Sequence, residues 1–184
     1  MQVESTAIPA VKIITPKRFA DARGYFSEVY SRAAFEKAGL TYEFVQDNHS
    51  YSAAAGTIRG LHFQTAPFAQ DKLVRVARGR VLDVAVDLRR GSPSFGAHVA
   101  VELSAANGRQ LLVPIGFAHG FCTLEPDCEV LYKVTNVYSA ANDGGLAFDD
   151  PALGIRWGVE PAEAVLSDKD RKHPRLAELG PQFG

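Results

Sequence analysis

Hydrophobic and polar positions alternate along much of this chain at the period of two that marks β-strands. The clearest stretch is Leu73–Leu88, LVRVARGRVLDVAVDL, where two alternating runs break at Arg78-Gly79-Arg80. The break predicts a hairpin-like interruption. In the second run Leu82, Val84, Val86 and Leu88 share one face, while Val81, Asp83, Ala85 and Asp87 share the other. Further runs over Ala97–Leu103, Arg109–Val113, Gly120–Leu124 and Glu129–Val137 are separated by turn sequences such as Gly91-Ser92-Pro93, Asn107-Gly108 and Glu125-Pro126-Asp127. Many short strands at this spacing predict an all-β sandwich or barrel. Helix is sparse. Ser31–Gly39, with a capping serine and a closing glycine, predicts one short helix, and Asp168–Leu179, interrupted at Pro174, predicts a second.

Composition narrows the function classes. A chain of 184 residues, 46% hydrophobic, predicts a single domain over 1–184 with a sizeable core. A net charge of −1 supports neither general nucleic-acid binding nor a polybasic membrane surface. The sequence has no apolar run of transmembrane length and no signal-peptide layout at its start, so a cytoplasmic protein is expected. Cys122 and Cys128 are too few for a disulfide scaffold and lack zinc-site spacing; reduced, partly buried thiols are expected.

The candidate chemistry is concentrated in Gly56–Arg75, GTIRGLHFQTAPFAQDKLVR. Arg59, His62, Gln64 and Lys72 crowd strand-like sequence that has no structural need for them, whereas proton transfer beside an anionic substrate does. Strict alternation groups His62 with Gly60 and Gln64, and sends Arg59, Leu61 and Phe63 to the other face. Gly60-Leu61-His62-Phe63-Gln64 and Pro114-Ile115-Gly116-Phe117-Ala118-His119-Gly120 resemble the two halves of the cupin jelly-roll signature. A metal-binding cupin carries HxH and a nearby Glu in the first half. Here HxH reads His62-Phe63-Gln64 and no Glu follows before Gly79, so His62 and His119 are a poor metal set.

At the level of whole motifs the chain resembles the dTDP-4-dehydrorhamnose 3,5-epimerase family. The match runs through Phe19–Glu28, Phe44–Ser50, Ile58–Gln64, Ala69–Arg75, Asp83–Asp87, Gly116–Phe121, Leu131-Tyr132-Lys133 and Leu166–Asp170, in order and over nearly the whole chain. The resemblance implies a cupin-like jelly-roll barrel with a few short peripheral helices, working without cofactor or metal on a dTDP-4-keto-6-deoxyhexose. A 4-keto group acidifies the C–H bonds at C3 and C5. Epimerisation then needs a base on one face, an acid on the other, and a donor for the enolate oxygen.

By that resemblance His62 is the base, Tyr132 the proton donor, Asp170 the residue that orients His62, and Lys72 the cation at the C4 oxygen. Asp83 is the competing carboxylate for His62. Arg23, Glu28, Gln46, Asp47, Asn48, Arg59, His119, Asp143 and Lys169 match substrate-contact positions, with Arg23 and Arg59 leading for the diphosphate. Tyr138 matches the aromatic position that stacks on thymine, and Phe19 or Phe26 completes that slot. The resemblance also implies a homodimer, with residues 1–30 contributing to the interface and Arg23 and Glu28 reaching the other subunit's site. A relative that inverts only C3 or only C5 shares the base and often the tyrosine. A sugar-nucleotide-binding cupin without activity would lack His62, Tyr132 or Asp170, and this chain has all three.

Overall fold

The alternating runs assemble into two face-to-face antiparallel sheets in the computed structural model, which describes residues 1–183. The N-terminal strands are β1 (Gln2–Ser5), β2 (Lys12–Thr15), β3 (Arg18–Asp21) and β4 (Gly24–Ser27). After helix α1 (Arg32–Lys37) come β5 (Gln46–Ser52), β6 (Ile58–Gln64), β7 (Lys72–Arg78) and β8 (Arg80–Asp87). The rest are β9 (His98–Ser104), β10 (Gln110–Val113), β11 (Phe117–Thr123), β12 (Cys128–Val134) and β13 (Asp143–Gly145). One sheet runs β1-β2-β10-β7-β12-β5 and the other β13-β6-β11-β8-β9, while β3 and β4 form a separate hairpin. The result is an all-β jelly-roll barrel, as the cupin signature implies.

The two faces of each strand go to different cores. Between the sheets lie Val74 and Val76 of β7, Val81 and Ala85 of β8, Phe117 and Phe121 of β11, and Val130 of β12. Outside the second sheet, Val84, Val86 and Leu88 pack with Ile58, Leu61 and Phe63 under the C-terminal segment, including Phe148 and Trp157. Outside the first sheet, Leu73 and Leu112 pack against Phe35 of α1. This layering explains why β11 is buried throughout. It also explains why β8 alternates apolar residues on one face with Asp83 and Asp87 on the other.

Two expectations change. The break at Gly79 is a change of sheet, not a hairpin: β7 pairs with β10 and β12, whereas β8 pairs with β11 and β9. Gly79, at φ +80°, lets the chain turn against Cys128. The helix at Ser31–Gly39 forms as α1, with Ser31 Oγ accepting the Ala34 N–H at 3.4 Å. In Asp168–Leu179, however, the regular helical structure is limited to one 3₁₀ turn over Asp170–Lys172. Both cysteines are free and buried. No helix among the described residues is long and apolar enough to cross a membrane.

Candidate active site

The site lies between the sheets, and a bulge in β6 builds one wall. His62 pairs with His119 of β11 and Arg59 pairs with Phe121, so three steps on β6 oppose two on β11. Gly60 supplies the irregularity with φ +129°, and a Cβ there would fall 2.6 Å from Gly120 Cα. The extra residue keeps Ile58, Leu61 and Phe63 on the outer core and brings Arg59 round to the same cavity as His62. Strict alternation had sent Arg59 to the opposite face; the bulge overrides it. Arg59 is held by Nε–H to Ser52 Oγ at 3.0 Å and Nη2–H to the Tyr51 carbonyl at 2.8 Å.

The opposite wall comes from the first sheet. Lys72 shares the inner face of β7 with Val74 and Val76, and Tyr132 shares that of β12 with Val130. His62, Lys72, Tyr132, Arg59, His119 and Asp170 line one cavity of about 470 Å³. An adjoining cavity of about 430 Å³ shares His62, Lys72, Tyr132 and Lys169 and adds Gln46, Asn48, Tyr138 and Asp143. Each is of the size that takes a small organic ligand.

Two carboxylate–imidazole pairs organise the centre. His62 Nε2 lies 2.6 Å from Asp170 Oδ1, and His119 Nε2 lies 2.9 Å from Asp83 Oδ1. Asp83 is therefore His119's partner, and Asp170 is His62's. Burial disfavours the Asp170 carboxylate, but the hydrogen bonds from His62 and Ser167 outweigh it and hold its pKa below the usual range. An ionised Asp170 accepts from His62 Nε2–H, which leaves Nδ1 as the imidazole's free acceptor.

Burial moves the pKa values of Lys72 and Tyr132 in opposite directions, each toward the neutral form. Burial pulls the Lys72 amine down to about 8, against the pull of Asp83 and Asp143 in the other direction. Its Nζ donates to the His62 carbonyl at 3.3 Å. Burial raises the Tyr132 phenol, partly offset by Arg59. At neutral pH Lys72 is thus mainly a cation and Tyr132 a proton carrier.

The remaining sequence-derived positions divide. Gln46 and Asn48 face the cavity, joined by Gln46 Nε2–H to Asn48 Oδ1 at 2.8 Å. Asp47, between them, alternates to the other face and pairs with Lys133 at 2.9 Å, so it is not a cavity residue. The Tyr138 hydroxyl donates to Asp143 Oδ2 at 3.1 Å, and Lys169 pairs with the same carboxylate. Arg23, Glu28, Phe19 and Phe26 belong to the β3–β4 hairpin region, are exposed, and line neither cavity. Arg23 there forms an ion pair with Asp21 at 2.6 Å. Asp71 braces neighbouring loops, accepting from the Ile115 N–H at 2.9 Å and the Thr135 hydroxyl at 3.0 Å.

Gln64, in the second position of the HxH slot, is a structural residue. Its amide donates to the carbonyls of Phe68 (2.6 Å) and Val137 (3.1 Å) and accepts from the Ser139 N–H (2.7 Å). The sequence reading missed His173. Three residues beyond Asp170 in a 3₁₀ turn, its side chain comes to the same side as the Asp170 carboxylate. That offset was the available signal.

Comparison with known proteins agrees with this geometry. Residues 5–178 match the family model described as dTDP-4-dehydrorhamnose 3,5-epimerase. The dTDP-4-dehydrorhamnose 3,5-epimerase of Sinorhizobium fredii is 54% identical over 183 residues, covering 100% of this chain and 93% of that protein. The crystal structure of the Bacillus anthracis enzyme of that name, with TDP and PPi bound, is 52% identical with a TM-score of 0.92, covering 95% of this chain and 99% of that one. The dTDP-6-deoxy-D-glucose-3,5-epimerase of Legionella pneumophila, in complex with dTDP-4-keto-L-rhamnose, is 40% identical with a TM-score of 0.93, covering 100% of this chain and 98% of that one. Motif order, barrel and full-length likeness agree, and the chain belongs to the dTDP-4-dehydrorhamnose 3,5-epimerase family of sugar-nucleotide isomerases.

Proposed function

We propose that this protein inverts C3 and C5 of dTDP-4-dehydro-6-deoxy-D-glucose, giving dTDP-4-dehydro-L-rhamnose through enolate intermediates. The observation that carries this reading is the His62–Asp170 pair on one wall of a cavity whose other wall holds Tyr132, with Lys72 between the sheets. His62 Nδ1 takes the proton from the carbon next to the keto group. The ionised Asp170 stabilises the imidazolium that forms. The buried Lys72 ammonium stabilises the enolate oxygen. Tyr132, from the opposite sheet, returns a proton to the other face of the sugar. The same base and acid serve the second carbon after the ring shifts.

Arg59 engages the diphosphate, Tyr138 stacks on the thymine, and Gln46, Asn48, His119, Asp143 and Lys169 hold the sugar nucleotide. Arg23 and Glu28, remote from the cavity of their own chain, complete the site of a partner in a homodimer. Phe19 and Phe26 on the same exposed hairpin accompany them. The reaction uses no metal or redox cofactor, and the enzyme works in the cytoplasm.

Incubation with the 4-keto sugar nucleotide in D2O tests this reading. Native protein incorporates deuterium at both C3 and C5. His62→Ala incorporates none, and Tyr132→Phe retains exchange but yields less inverted product. Label at one carbon only indicates a mono-epimerase, and full activity in His62→Ala overturns the mechanism.

A further inference from the structure

The proposed base belongs to a cluster with a second imidazole that the reaction does not use. The His173 side chain is 9% exposed, and its Nε2 lies 3.4 Å from Asp170 Oδ1. His62 Nε2 contacts that same oxygen at 2.6 Å. The His173 nitrogen has no hydrogen-bond partner among the described residues, an uncommon state for a buried polar atom. The ring is held in place: it meets His62 edge-on at 5.4 Å, and a Cβ on Gly145 would fall 2.1 Å from its Cε1. One donor atom from each of His62, Asp170 and His173 lies within 4.8 Å of the others.

Two imidazoles and a carboxylate in that span are a donor set for Zn²⁺ and its neighbours in the first transition row. Around a tetrahedral ion with bonds of about 2.1 Å, ligand atoms sit about 3.4 Å apart. Asp170 and His173 already have that separation, and the His62–Asp170 contact has to open by less than about 1 Å. His62 exposes a lone pair at Nε2 by moving its proton to Nδ1, with no net proton lost. Because His62 and Asp170 line the cavity, water can supply the fourth ligand. This set is distinct from the cupin metal set, whose second histidine position is here the fully engaged amide of Gln64.

We propose that His62, Asp170 and His173 form a binding site for Zn²⁺ or a similar transition-metal ion, and that its occupancy switches epimerisation off. The inhibition rests on the reading of His62 as base: a metal on Nε2 forces the proton onto Nδ1 and removes the lone pair that deprotonates the sugar. The ion is an inhibitor, not a cofactor.

The test is calorimetric titration of Zn²⁺ into the metal-free full-length protein, with the cobalt absorption spectrum as a second readout, alongside the D2O exchange assay. Native protein binds one Zn²⁺ per chain, stops exchanging, and recovers with EDTA. His173→Leu keeps its metal-free activity, binds Zn²⁺ about tenfold or more weakly, and works at zinc concentrations that silence the native chain. His173→Gln behaves alike and guards against a folding defect in the leucine variant. Mg²⁺ affects none of the three, since a histidine-rich site does not suit it. Zinc affinity and inhibition unchanged in both variants, or no zinc bound by native protein, overturn the proposal. Zinc binding that depends on His173 in a protein without epimerase activity leaves the site standing and sinks the functional reading instead.

Discussion

Replacing Lys72 by methionine is expected to make this protein more stable and much less active. The amine is held in a site where burial lowers its pKa from 10.5 to about 8. Each pH unit of that displacement is worth about 1.4 kcal/mol, so the charged form costs the fold roughly 3 kcal/mol at pH 7. Methionine fills a similar volume without the charge. It loses the hydrogen bond to the His62 carbonyl, worth about 1 kcal/mol. The net expectation is a gain of about 2 kcal/mol, read by urea unfolding at equal protein concentration. The gain depends on pH in a defined direction. Between about 8 and 10.5 the unfolded native chain keeps a proton that the folded chain has released, so native stability rises with pH through that window. The advantage of Lys72→Met is therefore full at pH 7 and shrinks towards pH 10. In the D2O assay the variant is expected to lose roughly 10²–10³ in rate, the usual loss for an oxyanion donor. A variant less stable than native at pH 7, or a stability gap that does not narrow with pH, refutes the reasoning.

Asp170→Asn is expected to keep substrate affinity and lose roughly 10²–10⁴ in kcat, because an amide neither fixes the His62 tautomer nor offsets the imidazolium charge; steady-state kinetics separate the two effects. Gly60→Ala is expected to cost about 3 kcal/mol or more in thermal or urea unfolding, since φ +129° and a 2.6 Å approach to Gly120 Cα leave no room for a methyl group. Equal mixtures of Arg23→Ala and His62→Ala chains, dissociated and reassembled, are expected to regain about a quarter of native activity, because half the random dimers contain one intact site. No regain in the mixture rules out a shared site.

Much of the barrel was legible in local sequence. Alternation in Arg80–Asp87 predicted both faces of β8, and each face meets its own core. Ser31 and Gly39 bracketed α1. Strand β5 was harder to read, because Gln46–Ser52 is mostly polar: one face looks into the cavity and the other carries surface pairs such as Asp47–Lys133. The sheet change at Gly79 was illegible for a different reason. A glycine between two alternating runs reads the same whether the strands pair with each other or with strands distant in the sequence.

By itself the sequence determined which residue types this protein has for proton transfer, and through its ordered motifs the family to which it belongs. Lys72 and Tyr132 were singled out by the family resemblance, and the structure puts them on inner faces with Val74, Val76 and Val130. Only the tertiary structure decided which carboxylate serves which histidine, because His62–Asp170 and His119–Asp83 are contacts across 108 and 36 positions. It decided that Arg59 joins the cavity, since one bulged residue at Gly60 reverses the face of everything beyond it. It also brought His173 against Asp170, a meeting set by a single 3₁₀ turn and by the space that Gly145 leaves open. Period-two patterning specifies faces within a strand; pairing, bulges and packing decide what those faces meet.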